Sequence, residues 1–219
     1  MIVTAGGTPI KLEVPGEIEY AGKGVSYCAI CDGAFYRGHT IMVVGGGDAA
    51  CEEADFLTRY AEKVSLVHRR DSFRASKIIQ QRLFANPRIE VVYDTVVDEI
   101  VGMDGLMTHA RIRNLKSGIA SDLTATGIFI FVGFTPNTGI IRGHIAHDAS
   151  GYLITDSNMQ TSVPGLFAAG DVRAQLTRQV TTAVGDATTA AIAVEKYLTA
   201  RKNGQPAPRP QPMLVPAAG

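Results

Sequence analysis

Residues 40–67 constrain the fold more than any other stretch. Thr40-Ile41-Met42-Val43-Val44 is a short β-branched run that suits a buried parallel strand, and it stops at Gly45-Gly46-Gly47-Asp48-Ala49-Ala50. From Ala49 to about Tyr60 the apolar residues Ala50, Ala54 and Leu57 fall at helical spacing, while Glu52, Glu53 and Arg59 can point outward. A second strand follows at Val64-Ser65-Leu66-Val67. Strand, GxGxxA turn, helix and strand in that order make a βαβ unit, the context in which the glycine motif holds a dinucleotide. Gly45 permits the tight turn, Gly47 lets the backbone approach a pyrophosphate, and small Ala50 lets helix pack closely on strand. With Gly46, Asp48 and Ala49 completing the turn, the free N–H groups of the helix start face the phosphates. The alternative is that the glycines merely end a strand.

The end of the second strand narrows the ligand. An NAD site wants an acidic residue there, about 20 residues past the turn, to bind the ribose hydroxyls. This chain offers His68-Arg69-Arg70 and then Arg74. Those cations suit a 2′-phosphate, which Arg can grip in a bidentate fork, so NADPH is expected over NADH. The competing reading is a solvated basic edge.

Upstream lies Cys28-Ala29-Ile30-Cys31-Asp32, two thiols spaced two apart with a carboxylate attached to the second. Cysteines this close can form a small disulfide ring, and a nearby Asp can deliver or remove the proton that thiol and disulfide interconversion requires. The stretch is a candidate redox centre. A zinc site would need two further ligands, but the only other cysteine, Cys51, lies on the predicted helix as a small buried hydrophobe, and the five histidines are scattered. No metal is expected. Asp32 could instead cap a turn.

Composition excludes several classes of function. The 21 basic and 21 acidic side chains cancel, so no broad field favours nucleic acid or an anionic membrane surface. No apolar run approaches the roughly 20 residues of a membrane span. Met1-Ile2-Val3-Thr4-Ala5 lacks the regions of a signal peptide, so the expected location is cytoplasmic, where three cysteines are not expected to staple the fold and a CxxC pair points to redox or metal chemistry.

The remaining segments fill in an α/β plan. Met1 to Gly7 reads as the end of a short strand, and Lys11 to Gly24, with Pro15, Gly16, Gly22 and Gly24, as a linker. Ser76 to Asn86 is a short amphipathic helix ended by Pro87, and Ile89 to Leu123 reads as a small antiparallel meander divided by Gly102, Gly105 and Lys116-Ser117-Gly118. Gly127 to Gly133 is an apolar strand, and Pro136-Asn137 marks a domain crossing. Beyond it, Tyr152-Leu153-Ile154 and Val163 to Ala169 are expected strands. The second ends at Gly170-Asp171, a carboxylate at the carboxyl end of a strand, where ligands of α/β sheets bind. A helix is predicted from about Val180 to Ala200, small-residue-rich on its early turns, with a positive N-terminal dipole suited to an anionic group. From Gly204 onward five of sixteen residues are proline, and disorder is expected.

The run Cys28-Ala29-Ile30-Cys31-Asp32-Gly33-Ala34-Phe35-Tyr36-Arg37-Gly38, the glycine turn and His68-Arg69-Arg70-Asp71-Ser72-Phe73-Arg74 together resemble the NADPH domain of the low-molecular-weight, bacterial-type thioredoxin reductases. Gly133-Phe134-Thr135-Pro136-Asn137-Thr138, Gly165 to Val172 and Arg178-Gln179-Val180-Thr181-Thr182-Ala183 resemble the C-terminal half of that family's FAD domain. The resemblance implies that Cys28 and Cys31 form the disulfide that reduced FAD reduces, with Cys31 facing the flavin, Cys28 attacking thioredoxin or a similar small dithiol protein, and Asp32 as general acid. It implies Arg69, Arg70 and Arg74 on the NADPH 2′-phosphate, and Gly170, Asp171, Arg178, Gln179 and Val180 around FAD. Asp171 would take the ribityl chain, and the backbone of Gln179 and Val180 the isoalloxazine.

The implied architecture is a residual FAD-domain strand and crossing linker (1–22), a Rossmann-like NADPH domain with CxxC and inserted meander (23–136), the C-terminal part of a second α/β domain (137–203) and a disordered tail (204–219). Full-length members are expected to be homodimers. Family members open with their own GxGxxG βαβ unit for the ADP half of FAD, and this sequence has one such turn. The chain is therefore expected to be a fragment or a natural half-protein, with apolar sheet surface and strand edges uncovered. The competing functions are an NADPH-binding module without independent flavin, or a related reductase serving a peroxiredoxin or glutaredoxin-like partner.

Overall fold

Strands form at the apolar runs around residues 40–45, 63–67 and 127–131, and the short opening strand finds a distant partner. The structure is a computed structural model that describes residues 1–206 and 208. The tail expected over 204–219 lies, apart from 204–206 and 208, outside the described residues. In chain order the elements begin β1 (Ile2–Val3), β2 (Gly7–Pro9), β3 (Val25–Ser26), α1 (Ala29–Asp32), β4 (Thr40–Gly45), α2 (Asp48–Leu57), β5 (Lys63–Val67) and α3 (Lys77–Ala85). They continue β6 (Ile89–Val92), β7 (Thr95–Met103), β8 (Leu106–Asn114), β9 (Ala120–Thr124), β10 (Gly127–Phe131), β11 (Phe134–Pro136), β12 (Phe167–Ala168) and α4 (Val180–Lys202). The chain divides into a middle unit, Pro9–Gly133, and a terminal unit of Met1–Thr8 with the residues from Phe134 onward.

The middle unit is built on a parallel sheet ordered β3-β10-β4-β5-β6. Alternation along β4 splits its side chains: Ile41 and Val43 join the cluster under α2 and α3, whereas Met42 and Val44 face the opposite cluster. Both faces are covered, which is why these strands read as unbroken apolar runs. Helix α2 buries Ala50, Cys51, Ala54 and Leu57, and α3, entered through Ser76, buries Ile79 and Leu83 one turn apart. Each fully buried large apolar side chain here contributes about 1.5–3 kcal/mol. The second face is covered by the antiparallel meander β7-β8-β9.

Two boundaries differ from the sequence reading. Ile89–Val92 pairs in parallel with β5 and is the sheet's edge strand, so the meander begins only at Thr95. A four-residue apolar run carries no mark of which sheet it joins. The segment 11–24 is also no free linker. Pro15 O accepts from Ile100 N at 2.9 Å, Lys23 O from Met107 N at 3.0 Å and Gly24 O from Ile128 N at 2.8 Å. Gly16, at φ +84°, lies so close to β7 that a Cβ would run into Ile100 O. Buried Glu17 then satisfies the Leu12 and Glu13 amides at 3.1 and 2.7 Å and the Tyr27 hydroxyl at 2.7 Å. The boundary expected after residue 22 consequently falls between Thr8 and Pro9.

In the terminal unit β1 pairs in parallel with β12, Ile2 opposite Phe167 and Val3 opposite Ala168, so the opening strand finds its neighbour far along the chain. The strand expected over 163–169 shortens to Phe167–Ala168 because Val163 to Leu166 closes a turn, with Gly165 at φ +82°. Tyr152–Ile154 is reduced to bridges from Leu153 to His147 and Arg173. Helix α4 buries only Ala190 and Tyr197 along its 23 residues and leaves Val180, Val184, Ile192 and Leu198 exposed.

Candidate functional site

Cys28 and Cys31 are joined, with S–S 2.08 Å and Cα–Cα 5.3 Å. Their spacing fits because α1 starts between them: Cys28 is its N-cap, and Cys28 Sγ accepts from Cys31 N at 3.2 Å. The helix is pinned from behind by buried Ala29 and by Gly33, whose missing Cβ leaves room for Leu57. In front, Ile30 and Phe35 are exposed, Phe35 to 79%. Asp32 does not cap the following 3-10 turn with its side chain. Its Oδ2 instead accepts from Ser26 Oγ at 2.6 Å.

The glycine turn lies in the same unit, and each of its glycines answers to a different constraint. Gly45, at φ +155°, lets Ala50 and Phe131 O approach where a Cβ would stand. A Cβ on Gly46 would strike the His68 ring. One on Gly47 would meet nothing within 4 Å, so this residue faces open space at the N-cap of α2, which no side chain caps. The loop after β5 is bound to that turn, since Arg74 N donates to Gly46 O at 2.9 Å and Ser76 N to Asp48 Oδ1 at 2.6 Å.

Arg69, Arg70 and Arg74 are exposed, and none is in an ion pair among the described residues. His68 differs from them. It is buried, tilts against Phe73, and sits 3.0 Å from Ser72 O through Nε2, which must carry the proton because a carbonyl only accepts. Burial holds its pKa below the usual histidine value. The sequence grouped it with the arginines as a phosphate-facing cation, whereas the structure uses it as a neutral support beneath the turn.

The terminal unit holds the other expected residues. Gly170, at φ +78°, donates its N–H to Asp186 Oδ2 at 3.0 Å, and the same oxygen takes Arg173 Nη1 at 2.6 Å. That ion pair is 12% and 13% exposed. The turn is thereby locked and presents Asp171, whose Oδ1 is buried without a partner. Arg178 lies 4.0 Å over the Tyr152 ring with its Nε likewise buried and unpartnered. Burial raises the Tyr152 pKa, with Arg178 opposing. Gln179 N donates to Thr182 Oγ1 at 3.1 Å and closes the first turn of α4, and Val180 is exposed.

The sequence profile described as pyridine nucleotide-disulphide oxidoreductase matches residues 1–187. The chain belongs to that family. A thioredoxin reductase of Rickettsia felis is 49% identical over 201 residues, covering 90% of this chain and 65% of the relative. One from Peptoclostridium acidaminophilum is 45% identical over 206 residues, covering 91% and 65%. The crystal structure of thioredoxin reductase from Streptococcus pyogenes superposes with a TM-score of 0.88 at 49% identity, covering 91% of this chain and 65% of that one. The chain thus spans about 65% of the length of the curated relatives it matches.

Several residues of these candidate sites carry no sequence signal. Ser26, Asp186 and Arg173 act through hydrogen bonds and an ion pair to residues distant in the chain or on neighbouring turns, which leave no periodicity or motif. Lys116, from the hairpin after β8, reaches Asp94 at 2.9 Å and Asp71 at 3.5 Å. The Asp71 carboxyl is held below its usual range, first by the Ser72 hydroxyl and then by Lys116, so the one acid within the arginine loop is already engaged. No helix among the described residues is long and apolar enough to cross a membrane.

Proposed function

We propose that the chain is the NADPH-binding and disulfide-bearing part of a flavin-dependent reductase acting on thioredoxin or a similar small dithiol protein. The observation that carries this reading is the Cys28–Cys31 disulfide in one unit with a dinucleotide-type glycine turn and a loop of exposed arginines. The relatives named thioredoxin reductase support the choice of partner.

The residues present fit both cofactors. Open space at Gly47 and the uncapped start of α2 suit a pyrophosphate, with Gly45, Gly46, Asp48 and Ala49 shaping the turn. Arg69, Arg70 and Arg74 would hold the 2′-phosphate of NADPH. The orphaned Asp171 Oδ1 and Arg178 Nε suit FAD, Asp171 taking the ribityl hydroxyls beside Gly170 and the backbone of Gln179 and Val180 meeting the ring at the positive end of α4. FAD held there would supply the electron transfer between the nicotinamide and the disulfide.

The chain's own chemistry is thiol exchange. Starting from the dithiol, the Cys28 thiolate attacks one sulfur of the partner disulfide, breaks that bond and releases one partner thiolate, which is protonated. The Cys31 thiolate then attacks Cys28 Sγ of the mixed disulfide, expels the second thiolate and restores Cys28–Cys31. Two electrons and two protons go to the partner, and Asp32 moves a proton between Cys31 and the leaving thiolate.

With Cys31→Ser the reduced chain is expected to stop at the mixed disulfide, leaving NADPH binding by calorimetry intact; release of both partner thiols would overturn the redox assignment. A second reading, an NADPH module without its own flavin, is favoured by the exposed apolar residues along α4. Visible absorbance separates the two: yellow purified protein supports the reductase, and colourless protein that binds NADPH supports the module.

A further inference from the structure

Ser26 ends β3 two residues before Cys28 and is buried, and its hydroxyl stands among three groups. Oγ lies 3.1 Å from Cys28 N, 3.3 Å from Cys28 O and 2.6 Å from Asp32 Oδ2. A serine hydroxyl has one proton to give and two lone pairs to offer. The Cys28 N–H is a donor, so Oγ accepts there. The single proton then has two possible acceptors, and the charged, closer carboxylate takes it over the carbonyl. The result is a directed chain, Cys28 N–H to Ser26 Oγ and Ser26 O–H to Asp32 Oδ2, that ties both ends of the CxxCD segment to one buried atom. Parallel pairing of Ser26 opposite Phe129 in β10 fixes that atom in the sheet.

We propose that Ser26 is the positioning residue for proton transfer at the Cys28/Cys31 centre, holding the Asp32 carboxylate in place while the disulfide opens and closes. The inference rests on the redox reading of the cysteines. In the exchange that restores the disulfide, Cys31 loses its thiol proton, attacks Cys28 Sγ and expels a partner thiolate, which becomes a thiol. Asp32 takes the first proton and gives up the second, so no other reactant is needed. Ser26 touches neither sulfur in this scheme. It fixes the rotamer of the group that does the proton transfer. Asp32 lies on a one-turn helix that could otherwise point its side chain to solvent.

The test is a single-turnover oxidation of the reduced chain by bis(2-hydroxyethyl) disulfide, following Cys28–Cys31 formation by alkylation and mass spectrometry. Ser26→Ala is expected to slow ring closure about tenfold, the effect of losing one hydrogen bond to a charged group. Ser26→Thr, which keeps the hydroxyl, is expected to recover most of the rate, and its isostere Ser26→Val to behave like Ser26→Ala. In an Asp32→Asn background, Ser26→Ala is expected to cost nothing further, an outcome that a purely structural serine would not give. Equal rates for wild type and Ser26→Ala, or an equal loss with and without the Asp32 carboxylate, would overturn the proposal while leaving the redox reading standing. A wild-type chain that forms no ring disulfide would instead overturn that reading and this inference with it.

Discussion

The middle and terminal units hold their candidate sites by different means. In the middle unit a five-stranded sheet is covered on both faces, and its glycine turn is gripped from below by His68 and from the side by Arg74 N and Ser76 N. In the terminal unit the strand pair β1 and β12 is two residues long, and α4 buries two side chains. There the Gly170–Asp171 turn is held by polar contacts: Gly170 N donates to Asp186, which also pairs with Arg173, and Gly170 O accepts from Arg173 N and Gln175 Nε2. Where apolar burial is extensive, polar contacts refine a shape that packing already imposes. Where it is sparse, a few polar contacts centred on one ion pair hold the geometry.

The strongest way to break that contrast is Asp186→Ala. Removing one partner of a desolvated pair leaves Arg173 uncompensated, at a cost of about 3–5 kcal/mol. Hydrogen exchange is expected to show lost protection at Leu153, Ala169 and Ala174, whose amides donate to Val172 O, Val3 O and Leu153 O, with β4 and β5 unchanged. Equal loss in both units would show that the terminal unit does not depend on this pair.

The next effect falls on cofactor choice in the middle unit. Replacing Arg69 and Arg70 together by Ala is expected to weaken NADPH by about tenfold or more per arginine, the scale of a charge-assisted contact, and to leave NADH nearly unchanged. Parallel titrations with the two nucleotides check it, and equal losses would remove the 2′-phosphate assignment. Within the turn, Gly46→Ala is expected to destabilise by about 1–3 kcal/mol through its clash with the His68 ring. Gly47→Ala, with open space around its Cβ, should leave the melting temperature alone and weaken only the nucleotide.

How much of this was legible in the sequence follows from the kind of interaction involved. The strand, glycine turn and helix of residues 40–57 were readable because each rests on local periodicity or on a glycine that only a tight turn explains. The CxxC was readable as a pair able to form a disulfide because its two-residue spacing matches the turn that α1 supplies. The pairing of β1 with β12 was not, since nothing in five residues announces a neighbour more than 160 positions away. Segment 11–24 looked like a linker because it is held by backbone carbonyls of Pro15, Lys23 and Gly24 that accept from Ile100, Met107 and Ile128 and by one carboxylate, Glu17, that accepts from the Leu12 and Glu13 amides, contacts that leave no periodicity. Ser26 and Asp186 were invisible for the same reason: one hydroxyl or one carboxylate has no pattern until the fold brings it to its partner.

The smallest expected effect concerns His68, the residue whose role changed most between sequence and structure. Its folded pKa is depressed by burial, so as pH falls below about 6.5 the unfolded chain binds a proton that the folded chain refuses. The folded state therefore binds fewer protons in that window, and stability falls with pH until the folded pKa is reached, below which this contribution levels off. Above about pH 7 the contribution vanishes, because both states are neutral. Urea denaturation between pH 7.5 and about 5 is expected to show that slope in the wild type and a shallower one in His68→Gln, which keeps a donor for Ser72 O without titrating. If the slopes are equal, the ring is not refused its proton, and the glycine turn rests on a charged group like the arginines beside it.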